Sequence, residues 1–160
     1  MQEPEKVYPK RLCHEVPPWV CDGALFHIRL RIQSGSAPQL IEPFLATKLI
    51  DAAQYYHERR RWFCRLFLLM PDHIHALLVF PVDPGMSRGV GEWKRYTART
   101  LGIRWQDNFF DHRLRDERES TKTYTYILQN PVVKGLCACE TDWSWQWHSE
   151  DNFVWNPPSG

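Results

Sequence analysis

Residues 60–80, "RRWFCRLFLLMPDHIHALLVF", hold two apolar runs with only Pro71 and Asp72 between them. Pro71 cannot extend a central strand, and Asp72 favours a turn. The spacing therefore predicts a hairpin of two neighbouring antiparallel strands, over 60–70 and 73–80. The first run is apolar on both faces apart from Arg65, as an interior strand requires.

The flanking segments extend this hairpin into a fold. "ALFHIRLRI", 24–32, alternates cleanly: Ala24, Phe26, Ile28, Leu30 and Ile32 share one strand face, and Leu25, His27, Arg29 and Arg31 the other. A helix is expected from about Glu42, with Pro43 in its first turn and a stripe of Ile41, Leu45, Leu49, Ala53 and Tyr56. A second helix is expected over about 87–101, with Ser87 as N-cap and Val90, Trp93 and Leu101 facing inward. "FFDHRLR", 109–115, reads as a fourth strand, and Ser120 as the cap of a third helix over 121–130. The order β-α-β-β-α-β matches the ferredoxin-like arrangement: an antiparallel sheet, two helices on one face and the other face free. The class is α+β, with an additional C-terminal helix that carries tyrosines. On this reading Arg29, Arg31, His73 and His75 lie together on the open face.

A chain of 160 residues is expected to form one domain, here over 23–150, after a proline-rich irregular lead-in (1–22) and before a short tail (151–160). The lead-in lacks the apolar stretch of a signal peptide, and no apolar run approaches membrane-spanning length, so a cytoplasmic protein without membrane contact is expected. Five cysteines (Cys13, Cys21, Cys64, Cys137 and Cys139) form no C-x-x-C pair and read as free thiols. The net charge of +1 gives no global pull toward nucleic acid, so any binding to phosphates must rest on local patches.

His73 and His75, two residues apart on a strand, point the same way. Two imidazoles side by side suit a divalent metal, and they equally suit a core or edge pair satisfied by backbone carbonyls. The third helix bears on that choice. In "STKTYTYILQNPVVKGL", 120–136, Tyr124, Ile127 and Leu128 make a core-facing stripe. Tyr126 sits about 200° around the axis from Tyr124, and shares its face with Asn130 at i+4. Two imidazoles and a carboxamide oxygen make a three-ligand site with open positions for a divalent cation. A tyrosine hydroxyl beside a cation-bound phosphodiester is a nucleophile able to form a covalent phosphotyrosine. That is cleavage and rejoining of a strand, not hydrolysis.

These motifs carry a family resemblance. "MPDHIHALLVF" resembles the His-hydrophobic-His motif of HUH endonucleases, and "TYTYILQNPVVKGL" the tyrosine helix of the single-tyrosine HUH transposases. Within that group, "YILQNPVVKGL", "WQDNFFDHRLR" (105–115) and "WSWQWHS" (143–149) look most like the REP-associated tyrosine transposases. The resemblance runs from residue 24 to about 149. It implies that Tyr126 is the nucleophile, forming a 5′-phosphotyrosine and releasing a 3′-hydroxyl. It implies that His73, His75 and Asn130 bind Mg²⁺ or Mn²⁺. The implied substrate is single-stranded DNA at the foot of a hairpin, such as a repetitive extragenic palindrome. The mobile relatives work as dimers, and the domesticated branch offers a monomer as the alternative. Two departures are a longer proline-rich lead-in and a low net charge for a DNA enzyme.

Further DNA contacts are expected from Arg29 and Arg31, which share the face of the metal site, and from Arg61 and Arg113. The wider cluster of Arg59, Arg60 and Arg65, and the helical Lys94, Arg95 and Arg99, suit a solvated charged face as well as phosphate. His112 reads as either a site or a structural residue. Asp72 reads as a turn residue or an outer support for the metal ligands. Trp143, Trp145 and Trp147 read first as a packed strand or cover and second as base-stacking groups. A histidine-triad nucleotide hydrolase would need a third histidine where Leu77 stands. A DNA-binding relic without cleavage keeps the same fold, and a replication initiator would belong to a larger chain.

Overall fold

The computed structural model describes residues 23–35 and 39–149; the expected lead-in (1–22) and tail (151–160), with Cys13 and Cys21, lie outside the described residues. In chain order the elements are β1 (Leu25–Arg31), α1 (Pro43–Glu58), β2 (Phe63–Leu69), β3 (His73–Val79), α2 (Gly85–Leu101), β4 (Phe110–Leu114), α3 (Glu117–Val133) and β5 (Gln146–His148). The sheet runs β4-β1-β3-β2-β5, antiparallel at every junction. Its first four strands have the ferredoxin-like order, and the tryptophan segment adds a short edge strand beside β2. The fold is α+β with a ferredoxin-like antiparallel sheet.

The hairpin turns where Pro71 and Asp72 interrupt the ladder, with Met70 N donating to His73 O at 2.8 Å. A β-bulge falls between Cys64 and Leu66. The extra residue, Arg65, keeps Phe63 and Leu66 on one face although they are three apart. Without it, the apolar phase of β2 would be broken.

One face packs under α1 and α2: Ile28, Leu30, Phe67, Leu69, Ile74, Ala76 and Leu78 meet Leu45, Leu49, Ala53, Val90 and Trp93. The opposite face is not free, contrary to the sequence expectation. Leu25, Leu66, Leu68, Leu77, Val79 and Leu114 on that side are covered by Ile127 of α3 and by Trp143. Apolar residues of the sheet alternate to both faces, and Leu68 on the second face pairs directly with His75, so a one-sided layer would leave them in water. Burying Ile127 there contributes about 2 kcal/mol.

Two helix starts differ from the serine caps expected. α1 begins as expected, with Glu42 accepting from Leu45 N at 3.0 Å ahead of Pro43. α2 starts at Gly85 with no side-chain cap, leaving Ser87 inside its first turn. α3 starts at Glu117, because Asp116 caps it first and accepts from Glu119 N at 2.8 Å; Ser120 is buried in the helix. Glu117 and Glu119 in that first turn suit the positive end of the helix dipole. At the other end α3 runs through Pro131 to Val133. The proline forfeits only one backbone bond, a turn before the helix stops. Among the described residues no helix is long and apolar enough to cross a membrane.

Candidate active site

Strand register assembles the site. β1 and β3 pair Arg29 with His75 and Arg31 with His73, and paired residues share a face of the sheet. Both histidines are buried, at 7% and 1% exposure, and their Nε2 atoms lie 3.2 Å apart. That span matches two adjacent ligands each about 2.1 Å from one cation.

The other ring nitrogens are held. Asp72 Oδ1 accepts from His73 Nδ1 at 2.7 Å, and His75 Nδ1 lies 3.0 Å from His27 Nε2. The four side chains form one hydrogen-bonded line, Asp72–His73–His75–His27. With His75 protonated on Nε2, the line is satisfied internally. With the proton on His75 Nδ1, donated to His27, both Nε2 lone pairs face the gap and suit a cation. Both arrangements carry three neutral imidazoles. Burial holds His75 down to about 2, helped by His73, His27 and the two arginines. Burial likewise holds His27 down to about 4, helped by Arg29 and His112. His73 is lowered by burial against the pull of Asp72, whose carboxyl is itself held low by the hydrogen bond to His73. Neutral imidazole is the form that ligates a metal.

α3 carries both of the further groups that the sequence singled out, and it sets Tyr126 beside the pair. The Tyr126 ring stands edge-on to His75, with centroids 5.9 Å apart, and is 55% exposed. Its fellow, Tyr124, is half-buried on the other side of the helix, where its hydroxyl bonds His148 Nδ1 and Arg65 lies over its ring. Asn130 is buried, and its Oδ1 has no hydrogen-bond partner; among the described residues Trp93 Nε1 is the other such buried side-chain atom. A buried amide oxygen without a donor costs free energy that a bound cation would offset. No group of three or more His, Cys, Asp or Glu among the described residues is placed to hold a metal. The imidazole pair and the unpartnered Asn130 oxygen are donors of the kind the sequence leads one to expect.

The four arginines expected to contact DNA fall in different places. Arg29 and Arg31 border the histidines, Arg29 with its guanidinium 4.6 Å over the Phe110 ring and Arg31 3.7 Å from Asp72. Arg61 does not join them. It precedes Phe63, which pairs with Val79 at the far end of β3, and it is tied to Glu92 of α2. Arg113 does not join them either, because it pairs with Phe26 on the face packed toward α1 and α2. His112, its neighbour, takes the site face opposite His27 and bonds Glu119 Oε2 at 2.6 Å. Trp143 is core, donating from Nε1 to Leu69 O at 3.0 Å.

His27 is the site residue that the sequence reading did not single out. The signal was available in the alternation of "HIRLR", which puts His27 on the face of Arg29 and Arg31. Glu119 was also missed; its i+3 position after the Asp116 cap was the clue.

No protein-family model matches the chain. It is 28% identical over 80 residues to the REP-associated tyrosine transposase of Escherichia coli strain K12, covering 48% of each chain. It is 29% identical over 93 residues to a Haemophilus influenzae protein provisionally given the same name, covering 47% of this chain and 52% of that one. The chain spans about half the length of the curated relatives it matches. Its fold is shared with a REP-associated tyrosine transposase solved bound to a REP hairpin: TM-score 0.67, 20% identity, 82% of this chain and 80% of the other.

Proposed function

We propose that this chain, which resembles REP-associated tyrosine transposases in sequence and fold, is a metal-dependent single-strand DNA endonuclease and strand transferase acting beside hairpin DNA. The observation that carries the reading is the exposed Tyr126 ring standing 5.9 Å from the ring of His75, in an imidazole pair whose Nε2 atoms are 3.2 Å apart. His73 and His75 through Nε2, and Asn130 through Oδ1, would hold Mg²⁺ or Mn²⁺. Such a cation supplies Lewis-acid stabilisation of charge on a phosphate oxygen.

The chain's own groups do the rest. Tyr126 attacks the phosphorus with its phenolic oxygen and loses its proton to the surrounding water. The new bond joins that oxygen to phosphorus, while the bond from phosphorus to the 3′-oxygen breaks. The 3′-oxygen takes up a proton and leaves as a hydroxyl. The 5′-phosphotyrosine retains the energy of the broken diester, so a 3′-hydroxyl attacking it restores a DNA strand without ATP. Arg29 and Arg31 hold neighbouring phosphates beside the histidines. The relatives named above support the DNA hairpin as partner.

The test incubates the full chain with hairpin-bearing single-stranded DNA and Mn²⁺. A 3′-end label should move onto the protein, a 5′-end label should leave on a shortened strand, and Tyr126→Phe should abolish both. Hairpin binding with no adduct from the wild type would instead mark a DNA-binding relic.

A further inference from the structure

Tyr126 also lines a cleft of about 640 Å³ along the first turns of α3, whose wall includes Arg118, Glu119, Lys122 and Thr123 of that helix and His27 of β1. Lys122 stands four residues before Tyr126, one turn away on the same side of the helix, with β-carbons about 5–6 Å apart. Side chains on a helix lean toward its N-terminus, so the Tyr126 ring lies over the turn that carries Lys122. Arg118 shares the stripe one turn further back, about 6 Å along the axis.

The carboxylates of the cleft are engaged elsewhere. Asp116 Oδ1 accepts from Glu119 N at 2.8 Å, closing the end of the helix. Glu119 Oε2 lies 2.6 Å from His112 Nε2, and its Oε1 accepts from Arg115 N at 2.8 Å. Glu119 is three residues before Lys122, a spacing at which the two would otherwise pair, but it is held toward β4. Lys122 is exposed and makes no side-chain hydrogen bond or ion pair among the described residues. An ammonium group is thus left without a counterion one turn from the phenol.

We propose that Lys122 is a second catalytic group of the strand transfer, its ammonium stabilising negative charge on the phenolic oxygen of Tyr126. The inference rests on Tyr126 as the nucleophile proposed above and adds a group that acts on it. During cleavage the phenol gives its proton to water as its oxygen bonds phosphorus, and the ammonium offsets the charge that gathers on that oxygen. During rejoining a 3′-hydroxyl attacks phosphorus and gives its proton to water. The bond from phosphorus to the Tyr126 oxygen then breaks, and the ammonium stabilises the departing phenolate until it takes a proton from water. Lys122 keeps its own protons in both directions.

The experiment follows single-turnover adduct formation by the full chain, with Mn²⁺ and saturating hairpin-bearing single-stranded DNA. Lys122→Met keeps the length of the side chain without its charge. It should slow adduct formation by about tenfold to a hundredfold, with DNA affinity and melting temperature nearly unchanged. Rejoining from its purified adduct should slow by a similar factor, because the phenolate is the leaving group there. Lys122→Arg restores the cation and should recover most of the rate. Arg118→Met, a turn further from the phenol, should leave the rate nearly unchanged. A wild-type rate in Lys122→Met overturns the proposal, as does an equal slowing in Arg118→Met or a loss confined to DNA affinity. Each of those outcomes spares Tyr126 as the nucleophile; no adduct from the wild type sinks both readings.

Discussion

His27 Nε2 lies 3.0 Å from His75 Nδ1, across the β1–β3 ladder, and so controls which nitrogen of His75 carries its proton. Asp72 does the same for His73 from the hairpin turn. Outer partners of this kind typically govern ligand affinity by tenfold to a hundredfold.

His27→Phe should therefore weaken Mn²⁺ binding by about tenfold to a hundredfold while keeping a ring in the same space. Asp72→Ala should act similarly through His73. Titration calorimetry of the three proteins measures this directly, and unchanged affinity in both variants would remove the tautomer argument.

Buried neutral histidines also set an acid limit on stability. His27 and His75 titrate far below 6.5 in the folded chain, at about 4 and about 2. Between pH 6.5 and 4 the unfolded chain binds protons that the folded one refuses, so stability rises with pH across that window. Acidifying from pH 7 to 4 should cost roughly 3 kcal/mol through His27 alone. Above pH 7 neither residue contributes. Urea unfolding along a pH series checks the slope, and His27→Phe should make it shallower.

Helix α3 buries Ile127 completely, next in sequence to Tyr126, and Ser120, Asn130 and Pro131 are buried with it. Ile127→Ala should cost about 2–5 kcal/mol in urea unfolding. It should also slow adduct formation at temperatures where the chain is still folded, because the phenol loses its fixed station. Loss of stability with full adduct yield would show that α3 need not be held rigidly.

The arginines separate by place. Arg29→Ala and Arg31→Ala should each weaken single-stranded DNA binding. Each should also make the log–log dependence of affinity on salt shallower, by about 0.7 for every phosphate no longer neutralised. Arg61→Ala and Arg113→Ala should leave both nearly unchanged, since one is engaged with Glu92 and the other sits on the opposite face. Fluorescence anisotropy across a salt series distinguishes the two pairs.

The sheet and its first two helices were legible because alternation and helical stripes are local signals. Pro71 and Asp72 fixed the hairpin, and "FHIRLRI" fixed which face of β1 met the helices. Other features depend on register or competition between neighbours. The face of Arg113 is decided by pairing with Phe26, and the bulge at Arg65 shifts the phase of β2 in a way no local pattern marks. Ser120 is a good cap that lost to Asp116, four residues earlier, once β4 ended at Leu114. The histidine pair was visible as a spacing, but its hydrogen-bonded line to His27 and Asp72 needed two strands and a turn brought together. The cover that α3 lays over the second face depended on Ile127, whose stripe was visible but whose docking surface was not.

Peptide mapping by mass spectrometry of the protein–DNA adduct tests the central claim most directly. Digestion of wild-type chain reacted with hairpin DNA and Mn²⁺ should leave a 5′-nucleotide phosphate on the peptide containing residues 124 and 126, with fragment ions placing it on Tyr126. A nucleotide found on Tyr124, or attached through a 3′-phosphate, would contradict the account.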